Sequence, residues 1–116
     1  MLSVVQYIQT QEKRDNPMKI TPQQVKQMLD NNEDFIILDV RGKGEYEGGH
    51  LPGAINLPLA ELPFKANKML PDKDKTIVVY CLSGGRSKRA AMGLEKLGFT
   101  KVLDMGGISG WTYEIV

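Results

Sequence analysis

The chain has 116 residues, 41% of them apolar and 25% charged, with a formal net charge of +1. That length suits one domain with one core, and the near-neutral balance excludes a global field that would draw it onto nucleic acid or an anionic membrane. A single cysteine excludes an internal disulfide framework and fits a reducing compartment.

Residues 1–17 read as an extension. Leu2, Val4, Val5 and Ile8 give a short amphipathic start, followed by a polar run that ends at Pro17. It is either a flexible tail or an arm that docks on the domain or on a second copy. It lacks the basic leader and apolar core of a signal peptide, and no stretch nears the roughly 20 apolar residues of a spanning helix. The expected location is the cytoplasm, with no membrane partner.

The domain is expected over residues 18–116. Thr21-Pro22-Gln23-Gln24 carries a helix start: a capping hydroxyl, a proline in the first turn and a glutamine at the capping-box position. Val25, Met28 and Leu29 share one helical face, and Asn31-Asn32 ends the helix. Phe35–Val40 is an apolar run closed by Asp39, as in a strand buried on both faces. Residues 41–49 form a glycine-rich connector with room for one helical turn. Residues 50–53 make a turn and 54–57 a short strand, and a helix follows Pro63 toward Leu70. The charged turn 72–75 precedes a strand over 76–80. A helix over 88–97 stops at Gly98, and 102–104 make a last strand. Alternating strands and helices predict a three-layer α/β/α fold with a central, mostly parallel sheet. Ligands of such sheets bind at the carboxyl ends of the strands, where Asp39 and Cys81 both fall.

Cys81 leaves its strand into Leu82-Ser83-Gly84-Gly85-Arg86-Ser87 and then a helix. A thiolate, not a thiol, is the reactive form, and the free thiol pKa is about 8.5. A helix N-terminus, a fixed cation at Arg86 folding back over the loop, and glycines that turn successive N–H groups inward all favour the anion. A lone cysteine is more often a small core hydrophobe, but a core position has no use for this loop. The phosphate-binding P-loop needs a longer glycine loop ending in Lys-Ser or Lys-Thr, which is not present here.

At these residues the sequence resembles the single-domain rhodaneses, a family of sulfurtransferases. Four blocks carry the likeness in family order: Leu38-Asp39-Val40-Arg41, the run from Gly49 to Pro58, Tyr80 through Ser87, and the run from Gly106 to Trp111. The resemblance covers residues 18–111. It implies that Cys81 attacks the sulfane sulfur of a donor, thiosulfate or a persulfide, and carries it as a persulfide to a thiol or cyanide acceptor. It implies a cradle from Leu82, Ser83, Gly84, Gly85, Arg86 and Ser87, with Asp39 and Arg41 in a supporting polar network. A sulfur-relay protein is a further candidate partner, and no cofactor or metal is called for.

The family's phosphatase and arsenate-reductase cousins have five residues between cysteine and arginine. Here there are four, Leu82 to Gly85, which favours sulfur. A non-catalytic, sulfur-sensing or binding module is the other alternative. Inactive members typically lack the cysteine, so Cys81 with Arg86 opposes it. Leu82 departs from the basic residue often found there in thiosulfate-using members, which leaves the donor open. His50 reads as a turn residue and Trp111 as a core anchor. The chain ends five residues after Trp111, earlier than is usual in the family, and residues 1–8 are expected to cover the edge this leaves, in this copy or a second one.

Overall fold

A computed structural model describes residues 17–116. The extension read over 1–17 lies, apart from Pro17, outside the described residues. Local signals set the first elements. β1 (Met18–Lys19) leads to α1 (Pro22–Asp30). The Thr21 hydroxyl accepts from the Gln24 N–H at 3.1 Å, and Gln24 Oε1 accepts from the Thr21 N–H at 2.9 Å. Two otherwise orphaned donors are thereby satisfied reciprocally. α1 buries Val25 and Met28.

β2 (Ile36–Asp39) is followed by the short α2 (Lys43–Glu47) and then by β3 (Ile55–Asn56). A 3₁₀ turn over Leu59–Glu61 runs into α3 (Leu62–Met69), which holds Pro63 in its first turn, where its missing N–H costs nothing. β4 (Ile77–Cys81), α4 (Gly85–Lys96) and β5 (Val102–Gly107) complete the sheet and its cover.

The five strands pair in parallel in the order β1-β5-β4-β2-β3. β4 is fully buried at the centre. Alternation along the strands makes two cores. Ile37, Val78, Tyr80 and Leu103 face α1 and Trp111, whereas Leu38, Ile77, Val79, Cys81 and Val102 face α3 and α4. Each fully buried Leu or Val contributes about 1.5–3 kcal/mol relative to an exposed one. The three-layer α/β/α fold with a central parallel sheet expected from the sequence is the fold observed.

Three boundaries that differ from the sequence reading concern the loop. The central strand runs on to include Cys81, which pairs with Gly107. α4 begins at Gly85, so Arg86 and Ser87 sit in its first turn rather than before it. β5 extends past residue 104 to Gly107, because the register shifts opposite Val79 and Tyr80 and lets Gly106 and Gly107 keep pairing.

Candidate active site

The carboxyl edge of the sheet is organised by Asp39. Register places it beside Tyr80, one residue short of Cys81. Its carboxylate accepts from the Arg41 backbone N–H at 2.9 Å, from Arg41 Nε at 3.1 Å and Nη2 at 2.7 Å, and from the Tyr80 hydroxyl at 2.7 Å. Asp39 is 0% exposed and Arg41 5%. A buried charge pair holds only when its remaining polar atoms are also satisfied. Here Arg41 Nη2 donates onward to the Gly49 carbonyl at 2.7 Å, and the Tyr80 hydroxyl accepts from the Leu51 N–H at 3.2 Å. The network therefore fastens residues 49–51 to β2 and β4. Burial and the bond to Asp39 push the Tyr80 hydroxyl pKa well up, and the bond to Asp39 does the same for Arg41.

Cys81 lies on the opposite face of β4 from Tyr80, at 1% exposure, and its sulfur meets the loop that follows. The Gly84 N–H donates to Sγ at 2.9 Å. Gly84 makes this possible at φ +114°, a left-handed conformation that a side chain strains. Burial pushes the thiol pKa up. The backbone N–H and hydroxyl of Ser87, with the N–H groups of Gly84 and Ser83, outweigh it and leave the pKa below its ordinary value. The Ser87 hydroxyl also donates to the Gly84 carbonyl at 3.0 Å. It has one proton, so it serves the carbonyl or the thiolate, one at a time.

The loop rests on backbone. A Cβ built on Gly107 would stand 2.5 Å from the Leu82 carbonyl oxygen and 2.9 Å from the Ser83 Cα. Leu82 itself is 50% exposed at the rim.

The Arg86 guanidinium, expected over the loop, pairs with Glu45. Its Nη1 and Nη2 donate to the two carboxylate oxygens of Glu45 at 2.8 and 3.0 Å. The sequence does not single out Glu45. Its partner is 41 positions away, and the one local cue was an acid three residues after Gly42, whose N–H it accepts at 3.0 Å. Arg86 and the Gly42 N–H together lower the Glu45 pKa to about 2.

His50 is a turn residue in the structure. Its ring stacks on Tyr46 with centroids 3.8 Å apart, and its Nδ1 lies 2.8 Å from the Tyr46 carbonyl. Trp111 is buried against the α1 face and donates to the Glu114 carbonyl at 2.9 Å. A half-open cleft of about 210 Å³ between α1 and the C-terminal residues, lined by Lys26, Pro52 and Tyr113 among others, does not include Cys81. Among the described residues, no helix is long and apolar enough to cross a membrane.

The parallel α/β domain thus carries its lone thiol in an N–H-lined loop at the carboxyl edge of the sheet. The rhodanese-like domain family matches residues 21–114, and the chain belongs to that family. It is 39% identical over 95 residues to the Bacillus subtilis protein YrkF, whose name marks it provisionally as a sulfur carrier. That match spans 81% of this chain but 50% of YrkF. A sulfurtransferase of Allochromatium vinosum is 34% identical over 94 residues, 80% of this chain and 86% of that protein. The crystal structure of a rhodanese-related protein from Thermoplasma volcanium superposes with a TM-score of 0.73 at 33% identity, covering 84% of this chain and 96% of that one.

Three outcomes test the geometry. Asp39→Ala leaves Arg41 buried without its counter-charge and is expected to cost about 3–5 kcal/mol in urea unfolding, against about 1–3 kcal/mol for Tyr80→Phe. Ser87→Ala removes a donor to the thiolate, so the pH midpoint of Cys81 alkylation by iodoacetamide should move upward. Gly107→Ala should displace Leu82 and Ser83 and slow that alkylation at neutral pH, while Gly110→Ala, whose Cβ would meet Pro22 at an ordinary 3.5 Å, should not.

Proposed function

We propose that the protein is a sulfurtransferase that carries sulfane sulfur on Cys81 as a persulfide. The observation that carries this reading is the Gly84 N–H held 2.9 Å from Sγ inside a loop with four residues between Cys81 and Arg86. The donors that stabilise a thiolate also suit the terminal sulfur anion of a persulfide.

In the first step the Cys81 thiolate attacks the sulfane sulfur of the donor. A new S–S bond forms at Sγ, and the donor's own S–S bond breaks with its electron pair on the leaving group: sulfite from thiosulfate, a thiolate from a persulfide. In the second step cyanide or a thiol attacks the outer sulfur, and the electron pair of the broken bond returns to Sγ. No net redox change occurs at Cys81 over the cycle, and two displacements through one covalent intermediate give ping-pong kinetics. Burial supports a one-atom passenger: a sulfur at 1% exposure accommodates an added sulfur more readily than a tetrahedral phosphoryl group. A thiol acceptor on a sulfur-relay protein would meet the exposed Leu82 at the rim. Asp39 and Arg41 serve this chemistry at a remove, by fixing the edge of the sheet on which the loop stands.

Intact mass spectrometry after incubation with thiosulfate or an alkyl persulfide should give a species heavier by one sulfur atom. Cyanide or dithiothreitol should remove it, and Cys81→Ser should never form it. No adduct from either donor, or turnover of a phosphate ester, would overturn the proposal.

A further inference from the structure

The loop's one cation is already spoken for. Arg86 spends both terminal guanidinium nitrogens on Glu45, in a bidentate pair at 2.8 and 3.0 Å. Bidentate pairs of this kind are the strong, oriented form of the contact. Glu45 is held in turn by the Gly42 N–H at 3.0 Å, at the start of α2, so it is not a side chain that drifts in from solvent. Its depressed pKa keeps it ionised at neutral pH. The Arg86–Glu45 pair thus adds no net charge beside the thiolate. The remaining loop residues, Leu82, Ser83, Gly84 and Gly85, carry none either. Lys88 and Arg89 follow on α4, exposed and outside the loop.

An approaching donor also meets the negative charge of the Cys81 thiolate. A dianion such as thiosulfate needs net positive charge at the mouth to offset that repulsion, and a donor of low charge does not. We propose that Glu45 is a specificity-determining residue of the Cys81 site: by neutralising Arg86 it disfavours dianionic donors and tilts selection toward persulfides of lower charge. A carboxylate here acts as a repulsive element against one class of substrate, which is a common way to build specificity. The consequence for donors rests on the sulfur-transfer reading above. The effect on charge selection at Sγ does not.

The test uses two alkylating probes of similar size, anionic iodoacetate and neutral iodoacetamide. Both react with the thiolate, so the ratio of their rates cancels the thiolate fraction and reports the local potential. Glu45→Gln keeps an acceptor for the Gly42 N–H and frees the Arg86 charge. Its iodoacetate-to-iodoacetamide ratio should rise about threefold at low ionic strength. Arg86→Gln should lower the ratio, and the double variant should return near the wild-type value. Both shifts should collapse near about 1 M salt, where the screening length is about 3 Å. Loosening of the loop would change both rates alike and leave the ratio still.

With donors, kcat/KM for thiosulfate relative to an alkyl persulfide should rise by a similar factor in Glu45→Gln. A ratio in Glu45→Gln equal to wild type, or a shift that salt does not touch, overturns the inference even if Cys81 carries sulfur. Ratios that move as stated in a protein that never forms a persulfide uphold charge selection by Glu45 and overturn the sulfur-transfer reading instead.

Discussion

One buried carboxylate holds the working edge of this domain together. Asp39 receives Arg41 and the Tyr80 hydroxyl at once, and through them it fastens residues 49–51 to the two strands that border the site. Parallel pairing brings those strands side by side but leaves their carboxyl ends free, and the backbone groups of the loops that cross there need partners. The network does that work with side chains. It also fixes the end of β4, and so the point from which Cys81 starts its loop. The chemistry of the thiol is downstream of an ion pair it does not touch.

At Cys81 two opposed effects set the ionisation. Burial favours the neutral thiol, and the N–H groups of Ser83, Gly84 and Ser87 favour the anion, with the Ser87 hydroxyl beside them. The hydrogen bonds win because α4 begins at Gly85, which aims its free N–H groups back at the sulfur. Arg86 belongs to a different balance. Its charge is met by Glu45, so the anion at Sγ is held by oriented dipoles more than by a full cation.

Much of this was legible in the sequence, for physical reasons that can be named. The Thr21-Pro22-Gln24 signal is local, and the structure repeats it bond for bond. The apolar runs ending at Asp39 and Tyr80 marked buried parallel strands because they are short, rich in β-branched residues and bounded by turn residues. The loop residues 82–87 were readable as a group, since strand, thiol, glycines and helix are contiguous. What escaped was long-range. Glu45 and Arg86 are 41 residues apart, and no local rule joins them. Composition puts the start of α4 three residues late, at Lys88, because Gly85, Arg86 and Ser87 look like loop. They become helix only because Gly84 takes a left-handed turn that caps it. The extension of β5 to Gly107 depends on a register shift that only the partner strand reveals.

The contact at Gly107 bears on how this site can vary. The loop is seated on main chain, with the Leu82 carbonyl and the Ser83 Cα against a residue that has no side chain. Backbone seated on backbone is indifferent to which side chains the upper segment carries. Residues 82 and 83 are thus free to change size, polarity or charge without moving the sulfur, while Gly107 is not. The fold separates the address of the reactive atom from the lettering around its door, and a lineage could rewrite the second many times over a single fixed seat.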